Sequence, residues 1–238
     1  MTAENVLKKL RAELIANSDE KIKESGKRFF KEEIKLYGIK TNIVSKLSKS
    51  YYKEINCLPK TEIYRLCQEL WQSGYMEESF IACNWSYNSH KEFTENDFSV
   101  FEKWIGRYIT NWAACDTFCN HTIGEFIEKY PQFISELKKW AESDNRWFRR
   151  AAAVSLIIPA RKGKFLKDII EIADILLTDK DDLVQKGYGW LLKSAAHTHQ
   201  YKIFNYVISR KKIMPRTALR YAIEKMPKEL KTAAMKKD

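Results

Sequence analysis

Glycine and proline are scarce, eight and five in 238 residues, so little interrupts the pattern of the chain. Nowhere do apolar and polar residues alternate for long enough to make a strand. No apolar run approaches membrane-spanning length. The densest, residues 151–160, is too short and is flanked by Arg149-Arg150 and Arg161-Lys162. The start, Met1-Thr2-Ala3-Glu4-Asn5, lacks the charged opening and apolar stretch of a secretory signal, so the cytoplasm is the expected compartment. Cysteine is limited to five, an odd number with no paired framework, which points to reduced thiols. Cys115, Cys119 and His121 fall at close spacing but leave a metal site short of ligands, and buried helical thiols are the favoured reading. His197 and His199 are expected at a helix end or in a loop. Neither metal nor cofactor is expected. Acidic residues are also in deficit: 31 Asp and Glu against 42 Lys and Arg give a formal charge of +11. That excess favours a polyanionic partner, although basic proteins without one exist.

What is abundant is helical periodicity. Apolar residues make up 45% of the chain and recur every three or four positions almost throughout. Val6, Leu7, Leu10 and Leu14 form one stripe. Ile22, Phe29, Phe30, Ile34 and Leu36 form the next, interrupted near Gly26 and ended by Tyr37-Gly38. Thr41 is placed to cap a third helix, and Asp144 or Asn145 a later one through Trp147. Helices are expected over 165–177, 181–196, 201–209 and 215–225, with a Lys-rich tail after Pro227 that frays. Short connections make neighbours antiparallel. The expectation is one all-α domain spanning 1–238.

A weak repeat runs through the second half. Asn145-Arg146-Trp147-Phe148-Arg149-Arg150-Ala151 aligns with Asp181-Asp182-Leu183-Val184-Gln185-Lys186-Gly187, and Asn111 to Asp116 precedes the first on the same register. The 34- and 36-residue offsets are those of stacked two-helix repeats of the HEAT type. Within it, Trp112 and Asp116 lie at i and i+4, one turn apart on one face. Lys186 and Trp190 repeat that spacing, and Lys193 lies two turns beyond Lys186. Arg150 sits among small alanines that allow close approach. Its ordinary role is an ion pair with Asp116; its functional role is contact with phosphate.

The ordered set Trp112…Asp116, then 143–152 (Ser-Asp-Asn-Arg-Trp-Phe-Arg-Arg-Ala-Ala), then Gln185-Lys186-Gly187-Tyr188-Gly189-Trp190 resembles the AlkD-like DNA alkylation-repair glycosylases. Tyr37-Gly38-Ile39-Lys40-Thr41 is similar to that family's early Gly-Ile-x-Thr turn, and Glu69-Leu70-Trp71 fits its next helix. The resemblance implies a right-handed solenoid of HEAT-like hairpins whose basic concave groove holds double-stranded DNA. It implies excision of cationic purines alkylated at N3 or N7, without base flipping, by a monomer. Asp116 then takes the place of the catalytic carboxylate, Trp112 and Trp190 of the two cleft indoles, and Arg150 of the cleft arginine. Thr41, Arg149, Lys186 and Lys193 become DNA contacts. The chain departs from the pattern at Asn111, where the family has a second Trp, and at Phe29, where it has an aromatic hydroxyl.

Two other readings stand beside this one. A non-catalytic repeat module would bind DNA structures or a protein, since fold does not fix function. Against it, a carboxylate facing DNA costs affinity unless it has a task. An RNA-binding repeat would need a base-reading pair recurring in each repeat, and none recurs.

Overall fold

Short polar side chains set four of the helix starts among the described residues. Asp19, Asn145 and Asp181 each accept a backbone N–H from the first turn that follows, and Asn111 does the same for Ala114. The computed structural model describes residues 3–236. Its helices are α1 (Ala3–Ala16), α2 (Glu20–Lys27), α3 (Thr41–Ile55), α4 (Lys60–Gln72), α5 (Met76–Asn88), α6 (Asp97–Tyr108), α7 (Trp112–Phe118), α8 (Gly124–Lys129), α9 (Ile134–Ala141), α10 (Arg146–Val154), α11 (Ile157–Arg161), α12 (Leu166–Ile175), α13 (Asp182–Arg210), α14 (Arg216–Ile223) and α15 (Lys228–Met235). A π-helical turn, Cys119–Ile123, follows α7. Among the described residues there is no strand; one isolated bridge pairs Lys35 with Tyr75. The chain is all-α.

The repeat that was faint in sequence is clear in the caps. The residues preceding α3, α5, α7, α10, α13 and α14 are Lys40, Tyr75, Asn111, Asn145, Asp181 and Pro215, spaced 34 to 36 residues apart. Each interval holds two or three α-helical segments, those of the last being the two arms of α13.

The chain divides into two compact units, Met1–Phe118 and Cys119–Asp238. The first is centred on aromatic rings. Trp71, Phe101 and Trp104 all meet Phe118 at 5.7 to 5.9 Å between centroids, and burying each such ring contributes roughly 1.5–3 kcal/mol. In the second, Phe126, Ile172, Val184, Tyr188, Leu191, Ile203 and Leu219 are all fully buried.

Three details differ from the periodicity. The second stripe is helical only as far as Lys27, and 28–40 is irregular because it is held by tertiary bonds described below. Thr41 is the first residue of α3 rather than its cap; Lys40 holds that position and makes no side-chain bond. The helices expected at 181–196 and 201–209 are the two arms of α13, which breaks at the non-helical His199 (φ −126°, ψ 40°), whose Nε2 lies 3.1 Å from the Gly163 carbonyl. The tail is helical over Lys228–Met235, docked by the fully buried Ala234; positions 237 and 238 lie outside the described residues.

Candidate functional site

In the first unit, α7 carries Trp112 and Asp116. Asn111 Oδ1 accepts the Ala114 N–H at 2.9 Å and the Asn111 carbonyl accepts from Cys115 at 3.2 Å, so this residue fixes where the helix begins. Ala114, Cys115 and Phe118 point into the core. That leaves Trp112, Ala113, Asp116 and Thr117 half-buried on the opposite side, as the i, i+4 spacing predicts. Trp112 is not a loose ring: Phe30 stacks on it at 5.3 Å and 18° between planes, whereas Phe29 is 73% exposed. Asn111→Ala should lower the unfolding free energy by about 1 kcal/mol, the usual cost of a lost cap. Asn111→Ser should recover most of it; urea denaturation checks both.

The turn leading into Thr41 is built on two buried acids at the start of α5. Glu77, 3% exposed, accepts the backbone N–H groups of Tyr37 (3.1 Å), Gly38 (2.9 Å) and Ile39 (3.2 Å). Glu78 accepts the Tyr37 hydroxyl at 2.7 Å and Arg11 Nη2 at 2.9 Å. Burial, and then that bond to Glu78, pushes the Tyr37 hydroxyl above its ordinary pKa. Gly38 has φ +86°, and a Cβ there would lie 2.3 Å from the Asp19 carbonyl oxygen, so no other residue fits. The Tyr-Gly-Ile segment is thus an anchored turn, and Thr41 is exposed at its end.

In the second unit, α10, α13 and α14 run parallel. Arg146 Nε lies 3.1 Å from Asp181 Oδ2, Arg150 Nη1 donates to the Leu183 carbonyl, and Val154 packs at Gly187. These contacts advance together along both helices. A Cβ on Gly187 would stand 3.4 Å from Arg150 Cγ; one on Gly189 would stand 2.7 Å from Tyr221 Cβ and 2.8 Å from the Ala218 carbonyl oxygen. The first glycine makes room for the Arg150 side chain, and the second lets α14 touch the α13 backbone. Tyr188 between them is buried, donating to the Leu177 carbonyl at 3.0 Å. Lys186 and Trp190, both half-buried, are left on the other side of the helix.

The cations on these helices are engaged. Arg150 is 5% exposed. Arg149 pairs with Asp179 at 2.6 Å and donates to the Ser143 and Asp144 carbonyls at 2.8 and 2.9 Å. Lys186 pairs with Asp182 at 2.6 Å, one turn before it. Lys193 pairs with Glu224 at 2.8 Å and lies over the Tyr221 ring; this hydrogen bond holds the Glu224 carboxyl below its usual range. The structure thus keeps Trp112 with Asp116, and groups Arg149, Arg150, Lys186, Trp190 and Lys193 on packed neighbours, each set within its own unit. Among the described residues no three His, Cys, Asp or Glu side chains are gathered to hold a metal ion, and no helix is long and apolar enough to cross a membrane.

Sequence reasoning did not find Phe30, Glu77, Glu78 or the packing role of Gly187 and Gly189. The contact between Phe30 and Trp112 and those between Glu77 and the turn join residues far apart in the chain, with no local signature. Asn111 did carry a signal, since it shares its register with Asn145 and Asp181.

Residues 10–226 match the family model of DNA alkylation repair enzymes, and the chain belongs to that family. Its fold is similar to that of a solved Enterococcus faecalis protein described as a predicted DNA alkylation repair enzyme. The TM-score is 0.80 at 16% identity, covering 89% of this chain and 98% of that one. No curated protein sequence matches it significantly.

Proposed function

We propose that this protein is a monofunctional DNA glycosylase. It would hydrolyse the N-glycosidic bond of N3- or N7-alkylated purines in duplex DNA, in the manner of the AlkD-like, HEAT-repeat branch of the family. The observation that carries the reading is Asp116, a half-buried carboxylate one turn from the stacked indole of Trp112, in a chain of formal charge +11. A surface selected only to hold phosphates gains nothing from an acid at that point.

The chemistry requires little else. A purine alkylated at N3 or N7 is cationic and departs neutral, so the leaving group needs no general acid. The costly change is positive charge developing on deoxyribose as the bond opens. An ionised Asp116 stabilises that charge and orients the attacking water. The ring faces of Trp112 and Trp190 add cation–π attraction. In this scheme Arg150 exchanges the Leu183 carbonyl for a flanking phosphate. Thr41 contacts the backbone, and Lys186, Lys193 and Arg149 join it by exchanging Asp182, Glu224 and Asp179 for phosphate. The lesion stays stacked rather than being turned into a deep pocket, which limits the enzyme to good leaving groups, and one copy of the chain suffices.

Incubating the protein with duplexes carrying 7-methylguanine or hypoxanthine tests this. Release of the cationic base is expected, with the neutral one left in place. Equal release of both, or tight binding with release of neither, contradicts it.

A further inference from the structure

The helical register continues one step beyond the residues named so far. In the second unit the caps Asn145, Asp181 and Pro215 precede α10, α13 and α14. The fifth residue after each is Arg150, Lys186 and Arg220. The helices are parallel, since Gly189 meets Ala218 and Tyr221 while Lys193, one turn on, reaches Glu224. Corresponding positions therefore follow one another from helix to helix.

The three cations differ in what they face. Arg150 is buried on the Leu183 carbonyl, and Lys186 is half-exposed and paired with Asp182 at the first helical position. In α14 that first position holds Arg216 instead of an acid. Arg220 is exposed, and among the described residues it has neither an ion-pair nor a hydrogen-bond partner. Arg216, also exposed, contacts only the weak acceptor Met235 Sδ at 3.4 Å. Glu224, the acid at the C-terminal cap of α14, is held by Lys193 and approached by Lys225. Residues 201–238 contain eleven Lys and Arg against three Asp and Glu, so eight of the eleven net positive charges lie in this last stretch. Such a pair, one turn apart on one helix, presents its charge at a set spacing to an external anion.

We propose that Arg220, together with Arg216, binds backbone phosphates of the duplex beyond the lesion, as the outermost step of the line through Arg150 and Lys186. This rests on the reading of the protein as a DNA-binding repair enzyme. These contacts carry no sequence information; they supply affinity and register on the duplex.

Binding of undamaged duplex DNA, followed by fluorescence anisotropy across a salt series, tests the proposal without any chemistry. Each phosphate contact contributes about 0.9 to the slope of log K against log salt. Arg220→Gln is expected to reduce the slope by about 0.9 and to weaken binding roughly tenfold at 0.1 M salt; Arg216→Gln with Arg220→Gln should double the slope change. Arg220→Lys should keep the slope, which separates charge from misfolding. Lys202→Gln removes an equally exposed cation outside this register and should change the slope by less than half as much. An unchanged slope in Arg220→Gln overturns the proposal, as does an equal loss in Lys202→Gln. A protein that shows the predicted slopes yet releases no base keeps this inference and rejects the glycosylase. Base release with an unaltered Arg220→Gln slope does the reverse.

Discussion

Asp116→Asn is expected to slow release of 7-methylguanine from duplex DNA by about two orders of magnitude or more in single-turnover assays. Affinity for undamaged duplex should be unchanged or slightly tighter. The substitution keeps the shape of the side chain and removes only its charge. Two orders of magnitude correspond to about 2.7 kcal/mol of transition-state stabilisation. A carboxylate about 4 Å from a full positive charge supplies about 4 kcal/mol at the effective dielectric of a protein surface, so the demand is within reach of one residue. Binding and catalysis respond in opposite directions because the deoxyribose cation exists only during reaction, whereas the phosphates that Asp116 repels are always present. Equal losses in both would instead indicate a folding defect in α7.

Glu77→Ala carries the largest expected effect on stability. Three backbone N–H groups of the turn at 37–39 converge on this carboxylate, at 2.9 to 3.2 Å, and the residue is 3% exposed. Removing it leaves those donors without their acceptor in a buried setting, at a cost of about 3 kcal/mol. For a chain of this size the corresponding fall in Tm is about 6–12 °C. Glu77→Gln should cost less. Its single carbonyl can still serve Gly38 and Ile39, which share Oε1, but its amide would face the N–H of Tyr37. Differential scanning calorimetry ranks the variants. A Glu77→Ala protein as stable as the parent would show that the turn does not depend on this anchor.

How much of this was written legibly in the chain depends on the distance over which each feature is determined. Helix type and most helix boundaries follow from periodicity and from caps that act within four residues, so the all-α class could be read directly and the cap of α10 narrowed to Asp144 or Asn145, of which the structure uses Asn145. The face shared by Trp112 and Asp116 is likewise a consequence of helical spacing. The irregular course of 28–40 was misread because Phe29, Phe30, Ile34 and Leu36 imitate a helical stripe. What overrides that stripe is Glu77, some forty residues away in the chain. The break within α13 at His199 was legible, because the apolar pattern lapses over 197–200; the meeting of His199 with the Gly163 carbonyl on another segment was not. Gly187 and Gly189 looked like parts of a motif, and only the parallel packing of α10, α13 and α14 shows that they serve contact between helices. Arg220 was legible in principle. Its register becomes visible once Pro215 is recognised as the start of the last repeat helix.

The central claim is that repair proceeds by removing the damaged base rather than by restoring it. Analysis by mass spectrometry of what the protein releases from a duplex holding a single 7-methylguanine tests this most directly. The account predicts free 7-methylguanine in solution and an equal quantity of abasic sites in the DNA, both lost in Asp116→Asn. Recovery of unmodified guanine in an unbroken duplex with no free base, or release that persists in Asp116→Asn, would contradict it.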